Sequence, residues 1–326
     1  MVRMNSTARR VALASLPLAL VLASCGDSSE DSAGSTAGGA ADGERLSVVA
    51  SFYPLQFLTE RVAGDLAEVS TLTAPGVEPH DLELSPRQVG ELGSADLVVV
   101  EHGMQPAVDD AVEQQKPKRL LDVSTAADLE ALAEEGHDHE HEDDHAATDD
   151  DHGGVDPHFW LDPVRSAKVG EAIAEELATV DPANAETYRK NAEALHADLD
   201  TLDKELSEGL KTCTSREVVT THEAFGYLGH KYDLRMHGVT GISPESEPSA
   251  TRLAEVADLV RELEVKAVFT EPLLPKNIAE TVATETGTKV LPLDPAEGVT
   301  DATAKDGYLG IMRANLTSLR EGLGCE

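Results

Sequence analysis

The chain has 326 residues, of which 61 are acidic and 26 basic, giving a formal charge of −35. So negative a surface repels nucleic acid and draws cations. A hydrophobic content of 40% at this length excludes a wholly disordered chain and allows two lobes with cores of their own.

The start of the chain carries Arg3, Arg9 and Arg10 but no acid, then an apolar run from Val11 to Ala23, then Leu22-Ala23-Ser24-Cys25. The run is short for a bilayer span and ends at a Cys preceded by small residues, which predicts a signal peptide over 1–24 and lipidation of Cys25. From Gly26 to Gly43 the chain is mostly Gly, Ser, Ala and Asp with almost nothing to bury, so 25–44 suits a flexible tether from a lipid anchor on the extracytoplasmic face of the cell membrane. That compartment permits disulfides, so a Cys213–Cys325 bridge is expected; neither Cys belongs to a Cys-x-x-Cys pair.

Beyond the tether, short β-branched runs alternate with helical patterns, the signature of βα units around a parallel sheet. Strands are expected at Leu46 to Ser51, Glu68 to Thr73, Asp96 to Glu101 and Arg119 to Asp122, with helices at Leu55 to Ala63, Pro86 to Gly93 and Pro106 to Gln115. These make a first α/β lobe, 45–160, that contains a His/Asp/Glu-rich loop at 133–154. Asp162-Pro163 and Asp181-Pro182 then read as helix starts, Asp capping and Pro at the first position. Tyr188, Ala192, Leu195, Leu199, Leu202, Leu206 and Leu210 recur at steps of four and three, predicting one helix of about 30 residues, roughly 45 Å long. The connecting helices occupy 161–212. A second α/β lobe, 213–326, has strands at Glu217 to Thr221, Leu234 to Val239, Ala267 to Thr270 and Lys289 to Leu293, and helices at Ala224 to Tyr232, Ser249 to Leu263, Pro275 to Glu285 and Lys305 to Leu323. The expected fold class is α/β: two parallel-sheet βα lobes joined by one long rigid helix, which leaves one cleft between them.

Ligands of open α/β sheets bind outside the carboxyl ends of the strands. His80 follows a stiff Pro- and Gly-containing turn after the second strand, His222 follows Thr220-Thr221 directly, Asp294 follows Val290 to Leu293, and His158 lies in the proline-bracketed entry to the connecting helices. Three imidazoles and a carboxylate from four separate strand or loop ends suit Zn²⁺, which takes N and O ligands tetrahedrally. Taken singly, each His also reads as an ordinary strand-end polar residue.

The segments GVEPHDLELSP, DPHFWLDP, TTHEAFGYL, PESEPSATRLAEV and VFTEPLLP, in that order, resemble the zinc-specific substrate-binding lipoproteins of bacterial ABC transporters, a family with manganese-binding members too. The resemblance runs from Leu46 to Cys325. It implies an extracytoplasmic protein, expected to be a monomer, that captures Zn²⁺ between two lobes and delivers it to an ABC permease with its ATPase subunit. It implies His80, His158 and His222 as ligands, with Asp294 fourth; in the family, water or a carboxylate beside the first histidine, here Glu78, also serves in that place. Manganese-type members usually carry Glu at the third position, whereas this chain has His222, and imidazole suits zinc over the harder Mn²⁺. Glu223, next to His222, would exchange an imidazole for a carboxylate if the register moved by one.

Glu271 follows a strand as well. It reads either as a carboxylate that orients a ligand imidazole or as an acid at a helix N-terminus. His102, His196, His230 and His237 read as solvated or structural. In the loop, His137, His139, His141, His145 and His152 alternate with acids, giving interchangeable weak chelates without fixed geometry: an auxiliary zinc collector or sensor, or a solvated linker. Neutral imidazoles bind metal, so affinity is expected to fall as pH drops through about 6.5. The rival reading from another class is a zinc-dependent hydrolase with Glu271 or Glu223 as general base, although no His-Glu-x-x-His helix is present; a surface adhesin is a third.

Overall fold

Within each strand, successive side chains leave opposite faces of the sheet, and this chain buries both. In the computed structural model, which describes residues 45–129, 155–244, 247–300 and 302–326, Val48 and Ala50 face one core while Val49 faces another, and Val218 and Val219 part in the same way. The expected leader 1–24, the lipidated Cys25 with its tether 25–44, and the loop 133–154 with His137, His139, His141, His145 and His152 lie outside the described residues. Among the described residues, no helix is long and apolar enough to cross a membrane.

The first sheet is parallel in the order β2-β1-β3-β4, from β1 (Leu46–Ala50), β2 (Ala67–Thr71), β3 (Leu97–Val100) and β4 (Leu120–Asp122). The second repeats the plan as β6-β5-β7-β8, from β5 (Glu217–Thr220), β6 (Arg235–Gly238), β7 (Ala267–Thr270) and β8 (Lys289–Pro292). Each order reverses beside its first strand, so each sheet opens a crevice at its carboxyl edge.

In the first lobe the helices are α1 (Tyr53–Ala63), α2 (Pro86–Ser94), α3 (Pro106–Gln115) and the short α4 (Ser124–Ala127). Ser85 and Gln88 close a reciprocal capping box at the start of α2. Next come α5 (Pro163–Val180) and α6 (Ala185–Leu210), and in the second lobe α7 (Gly226–Tyr232), α8 (Ala250–Glu262), α9 (Asn277–Thr286) and α10 (Gly307–Leu323). Asp162 caps α5, its Oδ1 accepting from Val164 N at 2.9 Å, with Pro163 at the first position.

The second Asp-Pro behaves differently from expectation. Pro182 opens a 3-10 turn over Pro182–Asn184, because Asp181 Oδ2 accepts from Asn184 Nδ2 (2.6 Å) and Tyr188 Oη (2.9 Å), and α6 begins only at Ala185. The helix has 26 residues, about 39 Å at 1.5 Å per residue. Its expected apolar stripe, Tyr188 to Leu210, is buried throughout. At its N-terminal end Asn191 Nδ2 donates to Val62 O of α1, and at its C-terminal end Tyr232 Oη donates to Asp203 and Arg313 of α10 pairs with Glu205. One helix thus belongs to both lobes, and a single apolar cluster runs from Val48 through Leu199 to Phe269. Truncating Leu199 to Ala would cost about 2–5 kcal/mol by transfer and cavity terms. Cys213 and Cys325 form a disulfide, and Thr214 N donates to Leu323 O at 3.1 Å, tying the end of α10 to the residues after α6.

Candidate metal centre

His80 sits in the loop between β2 and α2. Gln105 Nε2 donates to Pro79 O (3.0 Å) and Thr73 Oγ1 (2.9 Å), and Gln88 Nε2 donates to Leu72 O (2.7 Å), so the loop is fixed at both ends by amide side chains. At its tip Gly76 has φ +82°, and its N–H donates to Val299 O of the other lobe at 2.8 Å. A side chain is strained at that φ.

His158 enters on Val155-Asp156-Pro157. Asp156 Oδ1 takes both its backbone N–H (2.8 Å) and its Nδ1 (2.6 Å), while Asp156 O accepts from Tyr227 Oη (2.9 Å). His222 leaves the end of β5 and meets Glu271 at the end of β7: Glu271 Oε1 accepts from His222 N (3.0 Å), and Oε2 lies 2.5 Å from Nδ1. Since α9 starts only at Asn277, Glu271 is not an acid of that helix's first turn; it lies against His222. Each of these two rings has Nδ1 occupied by a buried carboxylate, which leaves Nε2 as the outward donor.

Those Nε2 atoms converge on one carboxylate oxygen, and it belongs to Glu297. Glu297 Oε1 is 3.0 Å from His158 Nε2, 3.1 Å from His222 Nε2 and 3.8 Å from His80 Nε2. One ligand atom from each of the four residues lies within 4.8 Å of the others, and all four residues are buried. A tetrahedron with arms of about 2.0–2.1 Å has edges of about 3.3 Å, so the three N···O separations bracket those of a zinc-sized ion.

Asp294, expected as the fourth member, is outside this cluster. Its Oδ1 accepts from Ala296 N at 2.8 Å, its backbone N–H donates to Asn315 Oδ1 (2.8 Å), and its carbonyl accepts from Asn315 Nδ2 (2.6 Å). A short acid at the head of a turn is commonly taken by its own backbone two residues on. The turn it makes, with Ala296 at φ +56°, delivers Glu297 to the site. The expectation took the first acid after the strand, whereas the carboxylate that meets the three histidines is the second, Glu297. Glu78 accepts from Asp81 N at 3.2 Å within its own loop, and Glu223 is exposed, so the register delivers His222 inward. Outside the cluster, His102 pairs with Asp109, His196 with Glu171 and His237 with Glu217, and His230 is exposed.

The electrostatics follow from burying three imidazoles and a carboxylate together. Burial favours the neutral form of His158, but Asp156 and Glu297 outweigh it and push its pKa up to about 9. His222 is likewise raised well above the usual value: burial opposes, but Glu271 and Glu297 prevail. His80 goes the other way, because burial outweighs its attraction to Glu297. Burial would raise Glu297, yet His222, His158 and His80 hold it well below the usual carboxylate range. At the rim, burial and the negative Glu297 push Glu78 up to about 8, and burial foremost, with Glu297 adding, brings Asp294 to about 6. The raised rings of His158 and His222 and the lowered Glu297 carboxylate thus favour one another's charge, and a divalent cation would compete with the protons.

The ZnuA family model, described as zinc-uptake complex component A, periplasmic, matches residues 48–322. The zinc-binding lipoprotein AdcA of Streptococcus pneumoniae is 36% identical over 288 residues, which are 86% of this chain and 56% of AdcA, so the chain spans little more than half of that relative. The high-affinity zinc uptake system protein ZnuA of Bacillus subtilis is 34% identical over 309 residues, covering 93% of this chain and 94% of that protein. Among solved structures, the Zn(II)-bound ZnuA-like domain of Streptococcus pneumoniae AdcA matches with a TM-score of 0.71 at 33% identity, over 86% of this chain and 99% of that one. The family is one of solute-binding transport components, not of enzymes. With its repeated parallel sheets, its spanning helix and a buried His/Glu cluster where the two sheets' crevices meet, the chain belongs to the ZnuA family.

Proposed function

We propose that the protein captures Zn²⁺ on the extracytoplasmic face of the membrane, held there by a lipid on Cys25, and delivers it to an ABC permease driven by its ATPase subunit. The observation that carries this reading is the convergence of His80, His158 and His222 Nε2 on Glu297 Oε1, with Nδ1 of two rings held by Asp156 and Glu271. The four converging side chains are the ligands. Three imidazoles and one carboxylate suit zinc better than Mn²⁺, which prefers oxygen donors. Glu297 replaces Asp294 in the ligand set first expected, and Glu271 and Asp156 orient their imidazoles.

Metal titration of the mature protein tests the assignment. Alanine at His158, His222 or His80, or Glu297→Gln, is expected to weaken zinc by about a hundred-fold or more, as the loss of one of four bonds to a tightly held ion requires. Asp294→Asn acts only through the turn and should cost far less. Deletion of 138–152 should leave one tightly held ion per chain, read by elemental analysis, with the loop's histidines adding only weak further binding. Tight binding retained by Glu297→Gln, together with its loss in Asp294→Asn, would restore Asp294 as the ligand.

A further inference from the structure

Trp160 is the chain's one tryptophan and is fully buried. Its indole Nε1 donates to Pro295 O at 2.7 Å, across 135 residues of sequence and across the lobe boundary. Its ring packs against His158 at 5.3 Å between centroids and edge-on against Phe52 at 5.0 Å. Its carbonyl is held in turn, accepting from Ser166 Oγ at 3.2 Å and from Tyr308 Oη of α10. Pro295 stands in the turn that presents Glu297, two residues before it.

That turn is fastened from its own lobe at Asp294 by Asn315 and internally by the Asp294–Ala296 bond. Pro295 has no N–H, so its carbonyl is the group through which this residue's backbone can be gripped. The group that grips it belongs to the side chain lying on His158. One indole therefore touches a ligand ring on one lobe and fixes the backbone bearing the opposing carboxylate on the other.

We infer that Trp160 is a positioning residue: by joining the His158 ring to the Glu297 turn it sets their separation, and with it how long a bound ion is retained. This rests on the zinc reading and adds to it a residue that touches no metal. Packing alone would make Trp160 a core residue whose loss lowers stability indiscriminately. Positioning demands more, namely that its effect pass through Glu297.

The test is Trp160→Phe, which keeps an aromatic ring on His158 and removes the N–H, with zinc dissociation followed by chelator competition at pH 7.5. Losing one buried hydrogen bond and leaving the Pro295 carbonyl unpaired should speed release about five- to ten-fold. In a Glu297→Gln background, where the carboxylate no longer holds the ion, the same substitution should change zinc affinity and release less than about two-fold. If Trp160→Phe does not fold, benzothienylalanine at position 160 preserves the ring's size and deletes only the N–H. Unchanged release from the folded variant overturns the inference, as does an equal acceleration with and without Glu297, which would mark a structural residue only. A wild-type protein that takes up no zinc overturns the zinc reading instead.

Discussion

His158 and His222 are built into the protein differently from His80. The first two follow a buried Asp-Pro and the end of a central strand, and each has Nδ1 against a buried carboxylate, at 2.6 Å for Asp156 and 2.5 Å for Glu271. His80 lies at the far side of a long loop, 3.8 Å from the Glu297 oxygen that the others approach to 3.0 and 3.1 Å. Their charges part accordingly: His158 and His222 are driven upward in pKa, His80 downward. The difference separates two tasks. On the proposed zinc reading, the two oriented rings would set affinity and geometry, and the ring on the clasped loop would complete the coordination.

The sharpest break in this comparison is pH. A metal needs neutral imidazole, and the surrounding carboxylates push the pKa of His158 up to about 9 and that of His222 well above its usual value, whereas burial lowers that of His80. Zinc must then compete with protons at both raised rings, and affinity should rise as pH climbs toward about 9, by about ten-fold per unit for each proton displaced. The sign is fixed, since protons compete for the same Nε2 atoms and lowering pH favours them. A free imidazole near 6.5 would instead give a plateau above 7. Calorimetry in buffers of different ionisation enthalpy counts the protons, and a count near zero would erase the distinction between the rings.

Next in size are the carboxylates behind the rings. Asp156→Asn and Glu271→Gln keep shape and remove the charge that fixes each tautomer, so zinc affinity should fall about ten- to a hundred-fold for each. The proton count at loading should fall as well, because the raised pKa has lost a cause. An affinity loss without a change in proton release would mean that these acids act by packing.

Much of this was legible in the sequence because the signals were local or periodic. The α6 stripe predicted its own burial at 3.6-residue spacing, and the placement of His80, His158 and His222 beyond strand and loop ends follows from sheet topology, so chain order alone brings them to one crevice. Glu297 was not legible in the same way. Which of two acids after β8 turns inward depends on a turn with Ala296 at φ +56°, on Asn315 from a helix beginning ten residues beyond Glu297, and on Trp160 from the other lobe. Each of these partners is remote or conformational and leaves no periodic trace. Pro182 shows the same limit on a smaller scale: the Asp-Pro start signal was present, but Tyr188 and Asn184 took up Asp181 and tightened the first turn into a 3-10 helix.

The smallest expected effect bears on the His80 loop alone. Gly76 joins it to Val299, two residues past Glu297, by one backbone hydrogen bond of 2.8 Å, and both its φ of +82° and its exposure set it apart from the buried Trp160 tie. Alanine finds free space there but an unfavourable φ, costing about 1–2 kcal/mol, so the tip should shift and the bond weaken without disturbing the core. Zinc release from Gly76→Ala is expected to quicken about two- to five-fold while the protons displaced at loading stay the same, since the His158 and His222 pairs are untouched. Gly90→Ala, in α2 with open space around it and no positive φ, serves as control and should leave release unchanged. If Gly76→Ala also leaves it unchanged, the clasp is not what retains the ion.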